Sequence, residues 1–441
     1  MPYSVFPTGV TLYDPSRAWN GYVLFGSPDG TSHLIDMNGN EVHAWPFLGF
    51  PSELLAPDRA HGEKGHILVQ LSSTEPGPWS GIFNNKTFGE LDWDGNVVWS
   101  WGEQAPGGAA RQNHDWHRLA NGNTLIVSSL EQTIPAITNE AITDQVIYEI
   151  TPVGEIVWKW TVGDHIDEFG ISQEGFEYLS RFVKQLDAHN GGFITINNME
   201  VIGPNRWFAA GDQRFHPDNL VIDSREGNFI AIIEKATGKI VWRLGPDFPD
   251  SKNSPHSRLQ NPQVPRSVDQ IIGQHDAHII PEGLPGAGNL LVFDNQGSAG
   301  FPPAYLGMFT GSRVLEIDPI DRTILWQYTG ESSGQPVWSF HSSFISSARR
   351  LPNGNTLIDE GMYGRIFQIT PEGDIVWEYV SPYFGQVPLR AGKVLSSNWV
   401  YRAQPVPYDW VPADTARSEQ AVQTVDVTTF RIPISSEAEA G

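Results

Sequence analysis

Two copies of one short motif, His-Asp-x-His, hold four of the thirteen histidines in this 441-residue chain. His114 and His117 belong to HDWH, and His275 and His278 to HDAH. In each copy the first histidine lies eight residues before a glycine (114 to 122, 275 to 283), and an apolar stretch follows, TLIVSS or LLVFDN. A neutral imidazole is a nucleophile near pH 7, exchanges protons there, and ligates transition metals. Histidines carried to equivalent places of a repeat could therefore meet and act together. The Gly/Pro-rich tip after His278 (PEGLPGAGN) and the ANGN after His117 are turn chemistry, so each motif enters a hairpin.

The elements that must position these histidines show in the tryptophans. Six segments share the order apolar strand, tight turn, strand ending in tryptophan: LIDMNGNEVHAW, GELDWDGNVVW, YEITPVGEIVW, AIIEKATGKIVW, LEIDPIDRTILW and FQITPEGDIVW. Glycine in most of these turns supplies the positive φ of a twisted two-strand connection, and the Val/Ile/Trp alternation fits strands with one buried face. The tryptophans at 45, 99, 158, 242, 326 and 377 are spaced 54, 59, 84, 84 and 51 residues apart. The short spacings suit a four-stranded blade and the long ones imply insertions. Upstream hairpins (ANGNTLIVSS, GAGNLLVFDN, PNGNTLIDEG) supply the other two strands of a unit.

The expected fold is all-β: a six-bladed β-propeller over residues 1–412, one domain because blades are buried only against their neighbours. The first unit lacks an innermost strand, and the lone candidate after Trp377 is 399–403 (WVYRA), which would join the first blade and cover its edge. Residues 164–190 contain a helix capped by Ser172 with Phe176, Leu179 and Val183 on one face. Residues 246–273 form a loop, and both insertions precede an inner strand. Residues 413–441 form a partly ordered tail.

Inner strands line the axial channel, so His114 and His275 should face the axis at one mouth. Strand alternation would turn His117 and His278 away, into packing between blades. Asn197 and Arg225 stand near the same mouth, with a rim salt bridge as the plain alternative for Arg225. His341 is out of register and reads as structural.

Composition narrows the function classes. Twenty-eight Lys and Arg against 51 Asp and Glu give a net charge of −23, which excludes a general nucleic-acid or anionic-membrane binder. An anion site must be local. No cysteine is present, which removes disulfides, thiolate metal sites and cysteine nucleophiles. No signal-like start and no run of 18 apolar residues occur, which favours a cytoplasmic protein, or an exported one whose signal has been clipped.

Several stretches together resemble the arylsulfate sulfotransferase family of β-propeller enzymes over most of residues 8–412. They are GVTLYDPSRAWNGYVLF, HDWHRLANGNTLI, FHPDNLVIDSREGNFIAIIEKATGKIVWRLG, QHDAHIIPEGLPGAGNLLVFDN and SSARRLPNGNTLI. The Q-H…VFDN segment with the S-R of a second strand is the most specific part. The resemblance implies a ping-pong transfer in which a histidine takes a sulfuryl group from an aryl sulfate and passes it to a phenol. It places the nucleophile on His275, a second histidine on His114, the sulfate-binding arginine on Arg225 and an asparagine on Asn197. Thr195 stands where the family has a further histidine; it can donate a hydrogen bond but carry no charge, so weaker sulfate binding or another anionic substrate is expected. The implied partners are a small aryl sulfate donor and a phenolic acceptor, with no cofactor and no metal; the oligomeric state is open.

Three other functions compete: a lyase or hydrolase of acidic sugars with a histidine base and Arg225 as carboxylate clamp, a metal enzyme on axial histidines, and a non-catalytic binding ring.

Overall fold

Why six tryptophans recur becomes plain from their indole N–H groups. In a computed structural model, which describes residues 7–73, 82–83, 85–187, 191–245, 271–303, 311–388 and 394–424, each donates to a backbone carbonyl in the hairpin turn of the next blade. Trp45 reaches Asp92 O (3.3 Å), Trp99 reaches Pro152 O (2.9 Å), and Trp158 reaches Lys235 O (3.1 Å). Trp242 reaches Pro319 O (2.8 Å), Trp326 reaches Pro371 O (2.8 Å), and Trp377 returns to Met37 O (2.7 Å). A large apolar ring with one donor at its edge both fills the space between two sheets and ties them together. Six repeats of that contact make a closed circle.

The described residues form six four-stranded antiparallel sheets, the blades of a six-bladed β-propeller. Their inner strands are Ala403–Val406, Glu53–Leu54, Trp116–Arg118, Asn198–Val201, His275–Ile279 and Ser347–Arg350, for blades one to six. The outermost strands carry the repeat tryptophans, in Glu41–Trp45, Val97–Trp101, Ile156–Thr161, Ile240–Leu244, Thr323–Tyr328 and Ile375–Val380. Blade one takes its inner strand from the far end of the chain, Tyr22 pairing with Val406 and Phe25 with Ala403. That strand starts at Ala403, so 399–402 of the expected 399–403 are not part of it. Tyr401 and Arg402 are held instead by hydrogen bonds to Asn197 O and to Asp115, which keeps them out of the pairing. The chain start, Gly9–Tyr13, adds a fifth strand to the outer edge of blade six.

Apolar residues from facing sheets fill the interblade spaces, as with Val292 and Ile317 of blade five against Val221 and Ile232 of blade four. The helix Gln173–Asp187 is where its amphipathic pattern places it, with Ser172 Oγ accepting from Gly175 N at 3.1 Å. Leu179 and Val183 are buried and Phe176 packs beside them. The Tyr178 ring lies 6.3 Å from Phe301, beyond the second strand of blade five, so the helix sits on the face where inner strands begin. Of the 246–273 insertion, 246–270 lie outside the described residues. After residue 412, Val422 bridges to Tyr13 and Gln420 N donates to Asn38, so the chain follows the outer part of blades one and six; the VTTFRI run lies outside the described residues. A ribbon that the pattern did not suggest, Gly385–Pro388 with Val394–Ser397, follows blade six.

Candidate active site

His275 opens the inner strand of blade five and is almost fully buried. Its Nδ1 lies 2.7 Å from Asn295 Oδ1. Asn295 gives its amide hydrogens to Ser342 O (2.7 Å) and Ile345 O (2.8 Å), so its oxygen must be the atom that faces the ring. That oxygen can only accept, so Nδ1 carries the proton and Nε2 keeps a lone pair. Ile345 N–H points at Nε2 from 3.2 Å. Ile345 and Ser346 sit at φ 54 and 90, a costly backbone for a β-branched residue, so this donor is held in place by its surroundings.

His114 is held in the same way. Its Nδ1 lies 2.9 Å from Asn113 Oδ1, and Asn113 donates to Arg111 O (3.0 Å) and Ser129 Oγ (3.1 Å). Nε2 is again the unprotonated ring nitrogen. The two histidines are close enough that a charge on His275 acts on His114. Burial, then His275 and Arg402, push His114 well below the ordinary histidine range. Burial and the Arg225 guanidinium lower His275 to about 3, against a smaller upward pull from Asn295. Both imidazoles are neutral at pH 7.

Arg225 follows the second strand of blade four and is fixed by Asn197, whose Oδ1 accepts from Arg225 N at 2.7 Å. The rim ion pair expected as its alternative is present too, Nη1 to Glu226 Oε1 at 3.0 Å. Its Nε is buried without a hydrogen-bond partner among the described residues. Asn197 O accepts from Tyr401 Oη at 2.6 Å, and the Tyr401 ring stands 6.0 Å from His114. His114, Asn197, Arg225 and His275 thus share one neighbourhood where the inner strands begin. Thr195 is fully buried two residues before Asn197. His341 is half-buried, its pKa is lowered by burial, and its Nδ1 has no hydrogen-bond partner among the described residues.

Around the pair lies an apolar bowl of Leu48, Phe50, Ile82, Ile345 and Tyr401, with Phe83, Phe344, Met362 and Trp399 against it. Phe83 stacks on His114 with centroids 5.1 Å apart. Among the described residues no group of three or more His, Cys, Asp or Glu could hold a metal ion, and no helix is long and apolar enough to cross a membrane.

The model of the arylsulfotransferase (ASST) family matches residues 61–379. The chain belongs to the arylsulfotransferase family. No protein in the curated set matches it. Among solved structures it is similar to a protein of unknown function from Bacteroides caccae (12% identity, 88% of this chain and 99% of that one, TM-score 0.47). It is also similar to a streptogramin B lyase (13% identity, 89% and 90%, TM-score 0.37) and to the Dos1 propeller (8% identity, 91% and 80%, TM-score 0.36). At these TM-scores the likenesses add nothing to the fold described above.

In this arylsulfotransferase-family chain the second histidine of each motif departs from expectation. His117 and His278 do not pack between blades: both line an axial cavity. The cause is backbone. His114 and Asp276 take φ of 59 and 60, and the pairing of blade five slips between His275 and His278, so simple alternation fails. Beneath the bowl, Arg402 binds Asp115 Oδ1 and Oδ2 (both 3.0 Å), Asp276 Oδ1 (3.1 Å) and Asn198 Oδ1 (2.9 Å), closing the axis. Asp115 and Asp276 also accept from Met199 N and Ala348 N of the next inner strands, so the aspartate of each motif laces blades together. None of these roles emerged from the sequence reading. Asn295 was within reach, as the last residue of LLVFDN.

Proposed function

We propose that this protein transfers a sulfuryl group from an aryl sulfate to a phenol through His275. The observation that carries the proposal is the unprotonated Nε2 of His275, oriented by the Asn295 amide and standing in the field of Arg225, whose Nε lacks a partner among the described residues; the 3.2 Å hydrogen bond from Ile345 N–H must yield before Nε2 attacks. Nε2 attacks sulfur and the S–O(aryl) bond breaks, releasing a phenolate. The product is a sulfo-imidazolium that keeps its Nδ1 proton on Asn295. Its three sulfuryl oxygens remain anionic, and Arg225 supplies the fixed charge they need. An incoming phenol then gives its proton to Nε2 of His114 and its oxygen attacks sulfur, restoring His275. A neutral, acceptor-ready His114 suits this second step. The sequence alone suggests His114 as proton donor to the departing phenolate, and it can take that part only after gaining a proton. Thr195 adds no positive charge, so Arg225 is the main anchor for the anion.

The aromatic bowl favours an aryl group over the acidic sugar considered above. The test is steady-state turnover of a chromogenic aryl sulfate with and without phenol. Parallel lines in double-reciprocal plots and phenol-dependent release are expected. Turnover unaffected by phenol, or a shift of activity to uronate polymers, would refute the proposal.

A further inference from the structure

At the far mouth of the ring, where the inner strands end, an axial cavity of about 320 Å³ opens between Glu53, His117, Glu200, His278, Arg349 and Arg402. Arg402 separates it from the histidine bowl, and the mechanism above uses none of its space. The volume is at the small end of the range for small-molecule sites.

Its polar groups have a definite bias. Three guanidiniums line it, held by four carboxylates: Arg349 by Glu200 (2.6 Å) and Asp276 (2.5 Å), Arg402 by Asp115 and Asp276, and Arg350 by Glu316 (2.7 Å). Each cation is therefore already paired and one carboxylate is in excess. Glu53 adds a fifth carboxyl, and its Oε2 is buried with no hydrogen-bond partner among the described residues. Burial, with Asp115 and Glu200 nearby, raises Glu53 to about 8, the behaviour of a carboxyl that lacks a cation. Against the upward pull of burial, Arg349, His278 and His117 hold Glu200 at about 2, so it stays ionised. His278 Nδ1 donates to Asp276 O at 2.9 Å, which leaves Nε2 as an acceptor. The site thus offers hydrogen-bond acceptors and a negative excess, while Met199, Leu284 and Trp410 give it apolar lining.

We propose that this cavity binds a small primary ammonium ion carried on an apolar body about the size of one aromatic ring. An ammonium group has three donors and no acceptor, matching Glu53, Glu200 and His278. Neither an anion nor a neutral molecule supplies the missing charge.

The test is isothermal titration of the whole protein with phenethylamine, with phenethyl alcohol and phenylacetate as the uncharged and anionic counterparts. Saturable 1:1 binding of the amine is expected, at least tenfold tighter than either counterpart. Glu53→Gln, which keeps shape and removes the carboxyl that would ionise against the bound ammonium, should weaken the amine tenfold or more. Leu284→Trp, which fills the cavity, should abolish binding, whereas His275→Ala in the other bowl should leave it unchanged. Near-UV circular dichroism checks that each variant is folded. Absence of saturable amine binding, tighter binding of phenylacetate, or amine binding indifferent to both Glu53→Gln and Leu284→Trp overturns the proposal.

Discussion

At the scale of single residues, the account rests on two asparagines that hold two histidines in one tautomer. Asn295→Leu keeps the volume but frees His275 to rotate, and misplacing a reacting atom costs on the order of 10²-fold in rate. The expected result is a loss of that size in kcat/KM, with ¹⁵N chemical shifts of His275 changing from one tautomer to a mixture. A purely structural role for Asn295 would leave those shifts alone. The depressed histidines also set the acid limb. For a base whose folded pKa is lowered, the neutral form persists below the usual value, so kcat/KM should stay level from about pH 8 down to about pH 5. An acid limb centred near 6.5 would mean that an ordinary, solvated histidine does the work. His114, His275 and Arg225 could be singled out from the sequence because each sits in a quotable stretch, whereas Asn197 came from its place in the repeat and the family resemblance. Arg402 and Tyr401 could not, because they reach the site from some 125 residues downstream of His275, outside any motif.

Among the elements, the hairpin that ends in tryptophan is the unit of construction. Its turn glycines, alternation and spacing are local properties, which is why six blades were legible without coordinates. The indole hydrogen bonds to the next blade were not, since they depend on where a neighbour's carbonyl points. Trp377 is fully buried and ties blade six to blade one, whereas Trp326 is partly exposed. Trp377→Phe should therefore cost about 1–2 kcal/mol for the orphaned carbonyl and lost donor, and Trp326→Phe clearly less, measured by urea unfolding. Equal losses would contradict the role given to the blade six–blade one contact. The orientation of His117 and His278 was misjudged for a similar reason. Left-handed backbone at His114 and Asp276, neither of them glycine, breaks the alternation on which that reading depended.

Considered whole, the molecule is an acidic body of net charge −23, so under the proposed function an anionic ester has to reach Arg225 against that charge. Long-range repulsion is screened by salt while the short contact to Arg225 is screened far less. Raising ionic strength from about 0.01 to about 0.15 M should thus increase kcat/KM for an aryl sulfate by a few-fold, with kcat unchanged. A fall in kcat/KM would place the attractive charge at the surface instead.

The most direct measurement is intact-protein mass spectrometry after mixing with an activated aryl sulfate in the absence of phenol. The account predicts a gain of one sulfuryl group, located on His275, discharged when phenol is added and absent in His275→Ala. An unchanged mass with a range of activated donors, or an adduct that survives in His275→Ala, would contradict it.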